Sequence, residues 1–199
     1  MKATRIHLLR HGQVEGFAQK RYNGQGDIPL TDLGRRQSAA FAGRLQHKKL
    51  SAIYSSDLLR CRTAADQIAI LQEAEPVYKE ALRELHIGAW EGQSWQQLQK
   101  DYPELWQARL DDIVNVAPPA GETLLQMAER VRPVVKEIVA AHPGGEIVIV
   151  GHGGVNRVIL LDVIGAPLTC LFHIEQDYGC HNIIDYFTDG IAVVKKLNG

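Results

Sequence analysis

Cysteine is scarce: 199 residues hold only Cys61, Cys170 and Cys180. Their number is odd and no two form a CxxC pair, which argues against a disulfide framework or a thiolate zinc site. Buried or inert thiols are the expectation. No apolar run approaches the roughly 20 residues that cross a bilayer, so no membrane partner is expected. Met1-Lys2-Ala3-Thr4-Arg5 lacks the apolar stretch and cleavage site of a secretory signal, and a cytoplasmic location follows as the expectation. Neither sign of charge is in excess, with 22 Lys plus Arg against 23 Asp plus Glu and a net charge of −1. Nucleic-acid binders ordinarily carry a basic excess, so that partner is not expected either. An anion bound here must be held by a few focused arginines. Two motifs are also missing. Without HExxH or comparable ligand spacing no metal site is expected, and without GxGxxG after the first strand a Rossmann-type nucleotide binder is disfavoured.

What is present is ordinary globular composition, 45% hydrophobic and 23% charged, in a length that suits one well-buried domain. A single domain over 1–199 is expected, without repeats or linkers. Short β-branched apolar runs alternate with longer segments of helical period, which predicts α/β layering. The expected form is a three-layer sandwich, a mostly parallel central sheet flanked by helices, with a small helical insertion. Arg5 to Leu9 reads as a first buried strand. Thr31 reads as an N-cap opening a helix with Leu33, Ala40, Phe41 and Leu45 inward. Ala52 to Tyr54 is a second strand, after which Ser56 or Asp57 caps a helix burying Leu58, Ala64, Ala65 and Ile68. From Glu122 to Ala141 a helix carries Leu124, Met127, Val131, Val135 and Ile138 on one stripe, and Pro133 should kink or break it. Ile147 to Val150 is the clearest buried strand, followed by a helix over Val155 to Ile164. Asn182 to Phe187 and Ile191 to Val194 read as a hairpin. The less regular stretch 85–120, with Trp90, Trp95 and Trp106, is expected to form a helical insertion or lid.

Two strands end alike, in Leu9-Arg10-His11-Gly12 and Val150-Gly151-His152-Gly153. Ligands of open parallel sheets bind beyond the carboxyl ends of strands, so both histidines can converge on one pocket. Glycines at 12, 151, 153 and 154 permit close backbone approach. Free N–H groups at the helix start after Gly154 would favour an anion. Arg10 and Arg60 supply charge. Arg60 falls in the first turn of a helix, where a cation is unfavourable by a few tenths of a kcal/mol or more, and a bound phosphate would offset that. Taken singly, each feature has a plainer reading. A lone histidine after a strand is more often structural. His7, His47, His86, His142, His173 and His181 receive that reading, although His86 and His181 could lie near the pocket. Glu15, Glu91 and Glu122 are read as solvated or structural. The joint occurrence of both histidine motifs with Arg60 is the specific signal.

These motifs resemble those of the histidine phosphatase superfamily, which contains cofactor-dependent phosphoglycerate mutases and many small-molecule phosphatases. The likeness runs over nearly the whole chain. Leu9-Arg10-His11-Gly12 is similar to the family signature, and Asn23-Gly24-Gln25-Gly26-Asp27-Ile28-Pro29-Leu30-Thr31 to its substrate loop. Ser55 to Arg60 matches the second-arginine segment. Leu82-Arg83-Glu84 with Gly88-Ala89-Trp90-Glu91-Gly92 matches the acid segment, and Gly121-Glu122-Thr123 and Val150 to Gly154 complete the order. The resemblance implies that His11 attacks phosphorus, giving a phosphohistidine, and that Arg10, Arg60 and His152 bind the equatorial oxygens in place of a metal. It implies that Glu84 protonates the leaving group and then deprotonates water. Asn23, Gly24 and Gly153 would join Arg10, Arg60 and His152 in binding substrate. No metal or other cofactor is implied.

This chain departs from the family pattern at Gln13 and Val14, and at Phe17, where the family often has a phosphate-contacting Asn. Asn23 is the candidate to replace that contact. Ala64 stands where a threonine is common, with Thr63 one place early. The brevity around the acid motif resembles the phosphatase branch rather than the mutases, and within it small members similar to α-ribazole phosphatase, which act in cobalamin nucleotide-loop assembly. A small-molecule phosphate ester is thus the expected partner, α-ribazole 5′-phosphate one candidate, and a homodimer stays open. The alternatives are mutase-type phosphoryl transfer, another metabolite phosphatase, and a phosphate-recognition module without turnover. A pure binder would have no use for Glu84.

Overall fold

The computed structural model describes residues 3–199. Six strands, β1 (Thr4–Arg10), β2 (Ala52–Ser55), β3 (Val77–Tyr78), β4 (Glu146–Gly151), β5 (His181–Tyr186) and β6 (Ala192–Lys196), form one sheet in the order β3-β2-β4-β1-β5-β6. The first four run parallel, and β5 and β6 are antiparallel additions on the β1 side. Six α-helices accompany them: α1 (Asp32–Leu45), α2 (Leu59–Gln72), α3 (Trp95–Asp101), α4 (Pro103–Asp111), α5 (Leu124–Ala141) and α6 (Gly153–Ile164).

Alternation along the strands explains the layers, since successive side chains point to opposite faces. Ile6 and Leu8 of β1 and Ile147 and Ile149 of β4 join the core under α5 and α6. Leu9, Val148 and Val150 point the other way, into the core under α1 and α2. A strand buried on both faces reads as an unbroken apolar run, which is why Ile147 to Val150 was so legible. The chain moves outward from β1 to β2 and β3, then returns to insert β4 beside β1. That reversal opens a crevice at the carboxyl ends of β1 and β4.

Several local expectations need correction. Thr31 does cap α1, accepting from the Gly34 N–H at 3.1 Å. The buried stripe of α1, however, is Gly34, Ser38, Phe41, Ala42 and Leu45; Leu33 and Ala40 face solvent. Neither Ser56 nor Asp57 is the N-cap of α2. Leu58 holds that position, and the Leu59 N–H is taken at 2.8 Å by Asp27 from the loop after β1, while Asp57 pairs with Arg83. α5 begins at Leu124 behind a capping box of Thr123 and Gln126, and runs through Pro133 unbroken. α6 starts at Gly153, two residues earlier than expected.

Within 85–120, α3 and α4 pack around Ile87, Trp90 and Leu98, with Tyr22, Tyr102 and Trp106 against them. Main-chain bonds from Tyr22 to Gln93 and from Trp95 to Lys20 tie this unit to the loop after β1.

Because β4 is buried on both faces, Ile149→Ala should lower the unfolding free energy by about 2–5 kcal/mol, the range for emptied core sites. Urea unfolding measures it, and a loss under about 1 kcal/mol would show that this strand is not the core the packing describes.

Candidate active site

Arg10 and Gly151 are paired in register at the ends of β1 and β4, so the residues that follow leave the sheet side by side. The His11 N–H donates to the Gly151 carbonyl at 3.1 Å, and the rings of His11 and His152 lie 5.2 Å apart between centroids, nearly edge to face. Both histidines are buried.

Hydrogen bonds fix the proton positions. Nδ1 of His11 lies 2.8 Å from the Gly12 carbonyl oxygen. A carbonyl only accepts, so Nδ1 carries the hydrogen and Nε2 holds a lone pair. Burial, then Arg60 and Arg10, hold the His11 pKa well below the usual histidine value, against an opposing contribution from the Gly12 bond. The ring is therefore neutral at pH 7. His152 is neutral for the same leading reason, burial, reinforced by Arg60, His11 and Arg10. Arg60 Nε donates to its Nδ1 at 3.3 Å, and its Nε2–H points at Ser56 Oγ, 2.9 Å away.

Arg60 is almost fully buried, with Nη1 donating to the Gly26 carbonyl at 2.7 Å and Nη2 to that of Gly24 at 2.6 Å. Carbonyls thus meet much of the cost expected of a cation in the first turn of α2. Gly24 also gives its N–H to Glu91 at 3.0 Å, as does Gln25. Glu91, read from sequence as solvated or structural, anchors the loop that Arg60 grips. Asn23 is half-buried, and its side chain makes no hydrogen bond to a described residue.

Glu84 reaches the start of α6, next to His152 in the chain. Its carboxylate accepts from the Leu85 N–H at 2.9 Å and the Gly154 N–H at 3.0 Å. The amide of Gly154 at the start of α6, expected to be free for an anion, is therefore already occupied. A Cβ on Gly154 would stand 2.4 Å from Glu84 Oε1, and one on Gly153 would stand 3.3 Å from the Arg10 guanidinium carbon. Only glycine fits Gly154 without displacing Glu84. Glu84 is held from behind by Arg130, which donates to the carbonyls of Ala81, Arg83 and Glu84 and pairs with Glu122. Glu122 also accepts the His86 N–H at 2.9 Å. Glu122 is structural, and His86 is exposed. His181 instead meets His7 at 2.8 Å, and His7 meets Glu146, within the sheet.

Arg10 donates to the carbonyl of Gln176 and lies 4.0 Å over the ring of Tyr178. Neither partner was found from the sequence, nor was Ser56 as partner of His152. Cys61 sits behind His152 with its thiol 3.4 Å from Nε2, and burial pushes its pKa up to about 12. That is the inert thiol expected. Among the described residues no group of three or more His, Cys, Asp or Glu is placed to hold a metal ion, and no helix is long and apolar enough to cross a membrane. A cavity of about 590 Å³ between α5, α6 and the β5–β6 hairpin shares no residue with this cluster.

Paired strand ends carrying two neutral histidines, two arginines and a carboxylate define a family. The model of the histidine phosphatase superfamily (branch 1) matches residues 6–198, and the chain belongs to that family. It is 32% identical over 196 residues to the bifunctional protein Rv2228c of Mycobacterium tuberculosis, covering 98% of this chain and 54% of that protein. The chain thus spans about half the length of that relative. It is 34% identical over 176 residues to the glucosyl-3-phosphoglycerate phosphatase of the same species, covering 84% of this chain and 78% of the relative. The crystal structure of the α-ribazole phosphatase from Shigella flexneri superimposes with a TM-score of 0.91 at 25% identity, over 98% of this chain and 96% of the other.

Burial lowers the pKa of His7, His11 and His152, and that of His181 to about 3. The unfolded chain, with histidines near 6.5, binds protons that the folded chain refuses. Stability should therefore be fully present above about pH 7 and fall as pH drops below 6.5, on the order of 1 kcal/mol per pH unit for each histidine that stays neutral. Urea midpoints at pH 7.5, 6.0 and 5.0 measure this; a flat profile would contradict the buried, neutral assignment.

Proposed function

We propose that the chain is a phosphomonoesterase acting through a phosphohistidine on His11, without a metal ion or other cofactor. The observation that carries this reading is the Nδ1–H bond of His11 to the Gly12 carbonyl. It leaves the Nε2 lone pair as nucleophile in a buried site beside Arg10 and Arg60. Covalent catalysis of this kind splits one difficult displacement into two easier ones.

In the first step Nε2 attacks phosphorus, the P–O bond to the leaving group breaks, and protonated Glu84 gives its proton to the departing oxygen. In the second, Glu84 takes a proton from water as the water oxygen attacks phosphorus. The P–N bond breaks, and inorganic phosphate and His11 are regenerated. Arg10 and Arg60 hold the equatorial oxygens, where fixed positive charge acts as a metal would. His152 joins them once the Arg60 Nε–H turns from its Nδ1 to a phosphate oxygen and Nδ1 gains a proton, which a dianionic phosphate beside it favours. Asn23, Gly24 and Gly153 line the same pocket, and the whole of 1–199 works as one domain with 85–120 as its lid.

The substrate in this reading is a small phosphorylated metabolite. α-Ribazole 5′-phosphate is the first candidate, supported by end-to-end similarity to the solved α-ribazole phosphatase; glucosyl-3-phosphoglycerate is the second. Cobalamin nucleotide-loop assembly is the role that the first would imply. A cytoplasmic location and no nucleic-acid partner belong to the same reading, which is compatible with a homodimer.

In buffer containing EDTA, the wild type should hydrolyse both candidates, and acid quenching should fail to preserve a phosphoryl group on the protein that alkaline quenching retains. His11→Ala should form none and lose turnover. Normal hydrolysis by His11→Ala would end the proposal, a requirement for a divalent ion would redirect it to metal chemistry, and an isomer in place of inorganic phosphate would favour a mutase.

Glu84→Gln separates the acid from the nucleophile. Nitrophenyl phosphate, whose leaving group needs little proton donation, should keep most of its kcat/KM. An alkyl phosphate should lose about 10²- to 10⁴-fold. Equal losses on both substrates would remove Glu84 as the acid and move the test to His86 or Glu91.

A further inference from the structure

Between the turn Leu168–His173 and β5, residues 174–180 pass over the end of β1 as a strap. The Arg10 N–H donates to the Cys180 carbonyl at 3.1 Å, and the Gly179 N–H donates to that of His11 at 3.1 Å. The Arg10 guanidinium reaches the Gln176 carbonyl from the same side. Tyr178 completes the strap, with Arg10 Cζ 4.0 Å from its ring centroid and the His11 ring 5.6 Å from it.

The strap is anchored away from the histidines. Gln176 is buried and exchanges two amide hydrogen bonds with Asn182, at 2.8 and 2.9 Å. Gln37 donates to the Tyr178 carbonyl at 2.8 Å, and Arg157 to that of Ile174 at 2.7 Å. The ring of Tyr178 is thus presented from a fixed main chain.

Arg10 and Arg60 are held in different ways. Arg60 gives three N–H groups to protein acceptors. Arg10 gives one, to Gln176, and its Nε is buried without a partner. A ring face attracts a guanidinium through its quadrupole without taking up an N–H. Stacking therefore fixes the plane of Arg10 while leaving its donors for an anion.

We propose that Tyr178 is a positioning residue, its ring face orienting the Arg10 guanidinium toward bound phosphate. This rests on the phosphatase reading for the ligand, and on the stacking geometry alone for the contact.

The test compares Tyr178→Phe, Tyr178→Leu and replacement of Tyr178 by pentafluorophenylalanine, which keeps the shape but reverses the charge of the ring face. Inorganic phosphate is the probe, as inhibitor and by direct titration, with thermal unfolding to confirm each fold. Tyr178→Phe should stay within about twofold of wild type, because the hydroxyl is not used. Tyr178→Leu and the fluorinated ring should weaken phosphate by about 2- to 30-fold, the range corresponding to 0.5–2 kcal/mol. In an Arg10→Ala background the same changes should add less than about twofold. Unchanged affinity with the fluorinated ring would overturn the proposal, as would an equal loss with and without Arg10. Side-chain NMR keeps the two readings separate. Ring-current shifts on Arg10 should be present in wild type and Tyr178→Phe and lost in Tyr178→Leu, whether or not phosphate binds. Their absence in wild type would overturn the stacking itself, whereas failure of wild type to bind phosphate would overturn the phosphatase reading.

Discussion

The parallel pairing of β1 with β4 is the constraint from which the site follows. With Leu9 opposite Val150 and Arg10 opposite Gly151, His11 and His152 emerge at the same level from adjacent strands. The register is pinned from below by two cores at once. Ile6, Leu8, Ile147 and Ile149 fill one face, while Leu9, Val148 and Val150 fill the other. A slip of one residue would exchange the faces of every side chain on the strand. The polar His7 would then displace Ile6 and Leu8 under α5 and α6. The geometry of the histidines is thus specified by hydrophobic packing several residues away, and no contact between the two rings has to supply it.

Burying cations here has a second consequence. Among the described residues Arg60 has no carboxylate partner; its acceptors are two carbonyls and the neutral ring of His152. Burial of a charge without a counter-ion is unfavourable, and dipoles of this kind offset it in part without cancelling its field. That residual field contributes to keeping both histidines neutral. A buried site with net positive charge favours an incoming anion, and the same charge keeps an unprotonated nitrogen ready at its centre. In the proposed mechanism, recognition and nucleophile activation rest on one electrostatic arrangement.

What the sequence shows clearly is what short-range physics determines. The apolar run Ile147 to Val150, the glycine after each histidine and the threonine that caps α1 can each be read within a few residues. Leu33 and Ala40 were misplaced because the stripe of α1 is built partly from Gly34, Ser38 and Ala42, small residues that carry little hydrophobic signal. The donor set of Glu84 and the cap of α2 were invisible for another reason. Asp27 meets Leu59 across 32 residues, Glu84 meets Gly154 across 70, and Gln176 meets Arg10 across 166. Each depends on the path of a loop, which no local period encodes. The order of motifs identified the family, while the partners that orient its side chains became apparent only in three dimensions.

Those long-range partners also join the histidine cluster to the loop after β1. A guanidinium has five N–H donors. Arg60 commits one to His152, one to Gly26 and one to Gly24, which leaves one on each terminal nitrogen for a phosphate. In the proposed mechanism the same head group therefore binds the loop carbonyls and the phosphate together. Gly24 and Gln25 are in turn held by Glu91, and Tyr22 and Lys20 by main-chain bonds to the 85–120 segment. Hydrogen bonds of the intervening loop thus connect that segment to Arg60. Changes in the insertion would, in the proposed mechanism, reach the phosphate-holding Arg60 as well as the leaving group. Substrate choice in that mechanism is therefore coupled to the phosphate site through this loop.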